Sequence, residues 1–305
     1  MGRPGGRPER QALVRRSDAV RLVALSAIWG SSFIFIRVIA PALGPILTVM
    51  TRVLIGGAVL VAYCRIIGVD AEVSRHWRQY AVIGIVNSTL PFMLFAFAAL
   101  YLPASYSVIL NSTAPLFTAL FAIPLLHERL TPVKVAGLLV GATGVALVSR
   151  AGPVVPDLWF WIAVAACLGA TTCYALSSIY MKKYAAGAKP LAIAGWSQIF
   201  AALALAPFMP FASPTAAVTP LLAANVLMLA IFCSSIAYVL YYRLIADIGP
   251  TRALTMAFLM PAFGMLWGAL FLDEPITVAM IAGCALVIAG ATVVLRPAAA
   301  SARRL

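Results

Sequence analysis

Arg52 is the residue of this chain whose type and place most directly suggest chemistry. It lies inside a long apolar stretch, seven positions after Pro45, so about 10 Å of helix separates the two. A charge within a membrane is costly and marks a functional site by default. Its planar fork of donors suits a carboxylate or a phosphate. The same residue suits a second role, snorkelling to the interface or bonding carbonyls to lock a helix. No acid accompanies it. Glu9, Asp18, Asp70, Glu72, Glu128, Asp157, Asp247, Asp273 and Glu274 all fall in tails, loops or helix ends. Holding a cation or taking up a proton inside the bilayer needs a buried carboxylate. The distribution therefore points to a neutral or zwitterionic ligand, handled without obligatory proton or sodium coupling.

Small polar and aromatic side chains are the other candidates. Trp29 with Ser31 and Ser32, Asn87 with Ser88, Asn111 with Ser112 and Thr113, and Ser177 with Ser178 all fall within apolar stretches. Such groups can hold the amino and carboxyl groups of a ligand, and they equally serve as hydrogen-bonded glue between helices. Phe95, Tyr174, Tyr238 and Trp267 lie deep enough to line an apolar pocket. Tyr101, Tyr241 and Tyr242 fall near helix ends, where interfacial anchoring is expected. The candidate ligand-binding set is thus Trp29, Ser32, Arg52, Asn87, Phe95, Asn111, Tyr174, Ser178, Tyr238 and Trp267. Pro91, Pro115 and Pro261 fall mid-stretch, where proline kinks a helix and a water-lined cavity can satisfy the freed carbonyl. They are read as hinges or gates, or as static bends.

The apolar stretches that must position these residues are each near the ~20 residues needed to span a bilayer. They are read at 19–39, 46–66, 79–100, 105–126, 132–149, 158–181, 190–211, 220–243, 252–272 and 277–295. The second set of five repeats the first at an offset of 146: Pro115 matches Pro261, Glu128 matches Glu274, Thr131 matches Thr277, Gly137 matches Gly283 and Gly144 matches Gly290. That offset holds an odd number of spans, so the halves face opposite ways. Inverted repeats place a site near the midplane and allow access to alternate between sides. The expected fold is therefore an all-α integral membrane protein of ten transmembrane helices in two inverted five-helix repeats. The repeats occupy 19–149 and 158–295, flanked by a disordered basic tail (1–18) and a short tail (296–305). Thr131 and Thr277 read as helix N-caps, preceded by Glu128 and Glu274 at the positive helix end. Gly137, Gly141 and Gly144 form a small-residue face for close packing on another helix.

Composition agrees. The chain of 305 residues is 63% hydrophobic and 10% charged, and its apolar blocks are continuous rather than alternating, which excludes a barrel. Its net charge of +13 is not a nucleic-acid signal. Of the 22 Lys and Arg residues, all but Arg37, Arg52 and Arg150 fall on the side of the two termini, which places both termini in the cytoplasm. Cys64, Cys167, Cys173, Cys233 and Cys284 match no metal motif and read as packing residues. His76 and His127 stand alone, and no phosphate loop, nucleotide fingerprint or nucleophile elbow is present. No cofactor, no metal, no enzymatic activity and no nucleic-acid partner are expected. The first apolar block is of full span length and reads as a retained helix rather than a cleaved signal.

Trp29-Gly30-Ser31-Ser32-Phe33, Pro45 with Arg52, and the run from Pro115 through His127-Glu128-Arg129-Leu130-Thr131 to Gly137, Gly141 and Gly144 resemble the EamA repeat of the drug/metabolite transporter superfamily. The second copy is degenerate: Ala175 stands in for Trp29 and Gln198 for Arg52, and Glu274 is followed by Pro275. The resemblance implies a bacterial inner-membrane exporter of small metabolites, with amino acids as the leading substrate class. Relatives handle sugar phosphates, nucleotide sugars, purines and toxic cations, which are the alternatives within the fold. A non-transporting membrane or lipid-handling protein is the reading from another class. Similar proteins line a central cavity with the first, third, fourth, sixth, eighth and ninth helices, which singles out Ser32, Asn87, Asn111 and Ser178. The partners implied are a small-molecule substrate and the bilayer, with the chain acting as a monomer.

Overall fold

The computed structural model describes residues 16–151, 156–253 and 255–295. Among them every regular element is helical. The long elements are α1 (Arg16–Ile66), α2 (Val73–Ala98), α3 (Ala104–Leu126), α4 (Pro132–Arg150), α5 (Leu158–Tyr184), α6 (Pro190–Phe211), α7 (Pro220–Ile248), α8 (Met256–Leu272) and α9 (Val278–Leu295), with one short helical turn at Pro250–Ala253. Eight are long and apolar enough to cross a membrane, while α8 is apolar but has 17 residues. Aliphatic side chains such as Leu139, Leu203, Leu221 and Leu270 point outward. A belt of this kind suits a protein whose surroundings are lipid. The expected N-terminal tail lies outside the described residues except for 16–18, which are already helical, and the expected tail at 296–305 lies wholly outside them.

The sequence places a loop between its first two spans, but α1 runs through it. The chain turns at Gly44 alone, where φ is 74° and ψ 162°. Only glycine adopts that conformation without a Cβ penalty, and the Thr48 hydroxyl caps its carbonyl at 2.7 Å. α1 therefore has a first arm over 16–43 and a second over 45–66. The prolines behave less symmetrically than their spacing suggests. Pro115 opens a fresh helical segment after a break at Ser112–Thr113, so its missing N–H costs no bond. Pro261 lies inside the unbroken α8. Pro91 is the second residue of the α-helical segment that follows a π-helical stretch of α2, Gly84–Thr89, so it falls where the hydrogen-bond pattern already changes. α7 carries a second π-helical stretch, Met228–Ile236, which covers the same stretch displaced by 146 residues. Neither π-helix had a signal in the sequence.

The glycine face of α4 packs on α9. A Cβ built on Gly137 would lie 2.9 Å from the Gly290 carbonyl oxygen, and one on Gly144 would lie 2.6 Å from that of Gly283. Because no side chain intervenes, the two backbones touch, which is how helices associate where lipid offers no hydrophobic drive. Thr131 and Thr277 accept the backbone N–H groups of Lys134 (3.3 Å) and Met280 (3.2 Å), capping these same two helices. Apart from this pair, the arms of α1 pack on α6, α7 and α8. The buried core centres on Leu25, Ile39, Val53, Leu229 and Leu244 at one place, and on Ala98, Leu102, Val108, Ile109 and Cys167 at another.

Candidate functional site

Hydrogen bonds define two ends of the helix bundle. At one end Arg37 bonds the Ala99 carbonyl, the Thr215 hydroxyl bonds Pro41 (2.6 Å), and Glu274 reaches the start of α3. At the other end Arg21 of α1 pairs with Asp247 of α7 and with the buried Asp18. Between them lies a cavity of about 430 Å³, within the roughly 300–1,000 Å³ of small-molecule sites. Its lining includes Trp29, Ser32, Arg52, Asn87, Phe95, Asn111, Tyr174, Ser178 and Tyr238. α1, α2, α3, α5 and α7 thus bring nine of the sequence candidates around one space.

Trp267 is not among them. It lines a separate apolar groove of about 460 Å³ with Ala27, Ser31, Val38, Asn225 and Phe232, and its indole N–H bonds the Ala27 carbonyl at 3.0 Å. Pro115 borders the central cavity, while Pro91 and Pro261 are buried beside it. Tyr241 and Tyr242, read from sequence as interfacial anchors, instead line the cavity. Their spacing from Tyr238, three and four residues, already puts all three on one helical face. Ser112, grouped with Asn111 among the polar residues of the apolar stretches, lines it as well. Thr118, Met181 and Ser197 also line it, with nothing in the sequence to choose them from other residues of their spans, and so does Phe92.

Arg52 is the only formally charged group among the described lining residues. It is 8% exposed. Its Nε donates to the Ser234 hydroxyl at 3.2 Å, and its guanidinium lies 3.8 Å over the Phe92 ring. A stacked arginine keeps most of its fork of donors free. Aromatic rings form the rest of the wall. Trp29 meets Tyr238 edge-on at 5.8 Å and Tyr241 at 5.2 Å, with its N–H on the Cys233 carbonyl. Phe95 stands between Phe33 (5.3 Å) and Tyr174 (6.2 Å). Asn87 and Tyr238 lie in the same wall of the cavity. Ser32 and Ser178 bond carbonyls of their own helices, Trp29 and Ala175.

Glu274 does more than the local capping expected of it. Its two carboxylate oxygens accept the N–H groups of Ala104 (2.6 Å) and Ser105 (2.9 Å), at the N-terminus of α3. Those donors have no partner within their own helix, and the positive helix end favours a carboxylate. Glu128 has the same backbone setting. His127 and Asp273 are both left-handed (φ 55° and 52°), and the following amides bond Ala122 and Gly268. Yet the Glu128 carboxylate takes Lys134 of its own neighbourhood, at 2.8 Å. That ammonium holds the Glu128 carboxyl below the usual carboxylate range. A depressed folded value means the bridge stabilises above the ordinary carboxylate range and is lost as pH falls through the depressed one. At this exposure it is worth under about 1 kcal/mol.

A helical bundle of membrane-crossing length around a central, mostly apolar cavity with few polar groups is the build of a small-molecule transporter. The EamA-like transporter family matches residues 19–150 and again residues 161–296, and the chain belongs to that family. It is 26% identical to the uncharacterized transporter YvbV of Bacillus subtilis over 90% of both chains. It is 25% identical to a probable terminal-alkyne amino-acid exporter of Streptantibioticus cattleyicolor, over 93% of this chain and 95% of that one. A solved crystal structure superposes with a TM-score of 0.64 at 22% identity, covering 92% of this chain and 96% of the other. That likeness is one of fold.

Proposed function

We propose that the protein is a bacterial inner-membrane exporter of small zwitterionic metabolites, with apolar or aromatic amino acids as the leading class. It works by alternating access between two inverted five-helix units, 19–149 and 158–295. The ten-span reading is supported by the turn at Gly44, which divides α1 into two arms of about 42 and 33 Å. It is supported further by the apolar α8, whose 17 residues complete the second set. The lysine and arginine bias puts both termini, and the end marked by Arg21 and Asp247, in the cytoplasm. The cavity then opens toward the cytoplasm, since its lining runs to Met181 and Leu295, near the ends of α5 and α9.

One observation carries the substrate reading: an aromatic cavity with a single arginine and no acid among its described lining residues. Arg52 attracts the carboxylate, the Asn87, Asn111 and tyrosine groups offer acceptors to the ammonium, and the rings receive an apolar side chain. A cation lacks a counter-charge in such a site, and a phosphate dianion finds one arginine where several are wanted. With no carboxylate facing the cavity, flux follows the substrate's own gradient. The amino-acid exporter among the relatives is consistent with this class.

Uptake of a radiolabelled amino-acid panel into proteoliposomes, with and without a pH gradient, tests the reading. Saturable flux insensitive to the gradient is expected. Arg52→Ala should raise the half-saturation concentration about ten- to a hundredfold, the loss of a charge-assisted bond of ~1.5–3 kcal/mol. Arg52→Lys should recover part of it, because the charge returns but the flat stacked fork does not. Flux that requires the gradient would overturn the uncoupled mechanism. An unchanged half-saturation concentration in Arg52→Ala would make Arg52 a helix lock.

A further inference from the structure

Displacing the Arg52–Ser234 contact by 146 residues lands on Gln198 and Ser88. Ser234 lies in the π-helical stretch of α7, and Ser88 lies in that of α2. α6, which carries Gln198, packs against the α2 stretch as the second arm of α1 packs against that of α7. The two arrangements nevertheless differ. Arg52 holds Ser234 at 3.2 Å. Ser88 Oγ and Gln198 Oε1 are both fully enclosed, at 0% and 1% exposure, and neither has a hydrogen-bond partner. The Gln198 amide nitrogen turns back to the Ala194 carbonyl of its own helix at 3.2 Å. Leaving enclosed polar groups unpaired is costly, and such groups call for an explanation.

A second difference lies beside the first. Ser235 Oγ donates to the Gly56 carbonyl at 2.9 Å. Thr89, its counterpart at the same offset, donates to Ala201 at 3.4 Å, one residue short of the position that corresponds to Gly56. At this bond the α2–α6 contact thus differs from its counterpart by one residue. The two backbones lie close here. A Cβ on Gly84 would come within 2.4 Å of the Ser197 carbonyl oxygen and 3.0 Å of the Ala201 nitrogen, with Phe200 Cβ at 3.3 Å.

We propose that Ser88 and Gln198 are a second polar hold, idle in the state described, and that transport alternates the two pairs. When the cavity faces the opposite side, α2 and α6 shift into the register now seen between α7 and the second arm of α1. Gln198 then takes the Ser88 hydroxyl, and Arg52 releases Ser234. Ser88 and Gln198 thus position the helices and do not touch substrate. The proposal rests on the alternating-access reading above.

The test uses the full chain carrying Ala98→Cys, an enclosed position beneath the end sealed by Glu274. Labelling by a membrane-impermeant maleimide from outside intact cells reports how often that end opens, with the unsubstituted chain as blank. Adding Ser234→Ala should raise the labelling rate several-fold, because the hold of the described state is gone. Adding Ser88→Ala should lower it several-fold, because the hold of the opposite state is gone. Ser88→Ala should also raise Tm while reducing amino-acid flux, a pairing that a merely structural serine would not give. Rates that move together, or stay equal in both variants while Ala98→Cys itself is labelled, would overturn the exchange of holds and leave alternating access standing. No outside labelling of Ala98→Cys alone, with or without substrate, would overturn both.

Discussion

Glu274→Ala is expected to lower Tm by several degrees and to cut transport at least tenfold. The carboxylate joins two elements distant in sequence through bonds of 2.6 and 2.9 Å to the first turn of α3. Bonds to a charged group are worth ~1.5–3 kcal/mol, and loss of a helix cap costs ~0.5–2 kcal/mol. Water reaches the half-buried site and replaces part of this, so about 2 kcal/mol is the expected net loss. A change of that size alters the ratio of two conformations roughly thirtyfold. If the contact seals one end of the cavity, the loss falls on the balance of the two states as well as on folding. Glu274→Gln keeps one acceptor and should fall between the wild type and Ala. Glu128→Ala removes only a solvent-exposed bridge to Lys134 and should change Tm by less than a degree or two. Equal melting of Glu274→Ala and Glu128→Ala in detergent, with flux intact in both, would show that the cap has no consequence.

The second large effect is expected at the contact of α4 and α9. A Cβ on Gly290 would stand 2.5 Å from the Gly137 carbonyl oxygen and 2.6 Å from the Gly141 nitrogen. Both are backbone atoms, so relief requires the helices to part along their length. Overpacking ordinarily costs ~1–3 kcal/mol; with no side chain able to yield, Gly290→Ala belongs at the top of that range. Gly290→Leu should prevent recovery of folded protein. Gly169→Ala makes the contrast, because its Cβ would meet only Leu94 Cδ1, at 3.4 Å. There the gain in helix propensity, ~0.5–1 kcal/mol, should dominate. The same exchange of residues should thus move Tm in opposite directions at the two sites. A melting curve of Gly290→Ala like that of the parent would mean the helices can part without loss.

Arg52, the Asn87, Asn111 and tyrosine groups and the glycine face were legible because each breaks an apolar background. Polar or small residues inside a lipid-facing helix are conspicuous whatever the tertiary structure. Trp29 and Trp267 show where this fails. Both are deep tryptophans in apolar spans, yet one lines the central cavity and the other an outer groove. Lipid on one side and protein on the other are equally apolar, so no periodic pattern tells which way a side chain faces. Tyr241 and Tyr242 depart from expectation for a related reason: their nearness to a helix end suggests an interfacial depth, while the cavity extends to that end.

Sequence alone determined that the chain is helical, that it belongs in a membrane, that one arginine and no acid lie deep within its spans, and that its motifs recur at an offset of 146 residues. These are consequences of composition and spacing, and the solvent preference of each segment is a local property. Only the tertiary structure decided that Glu274 caps a helix 170 residues away in the chain, that Arg52 holds Ser234 while Gln198 and Ser88 go without, and that the two recurring π-helical stretches lie at those contacts. A hydrogen bond between helices depends on their relative shift to within about an ångström. Motifs repeated in the chain carry the same instructions twice, and the asymmetry between them arises only when the two copies pack against each other.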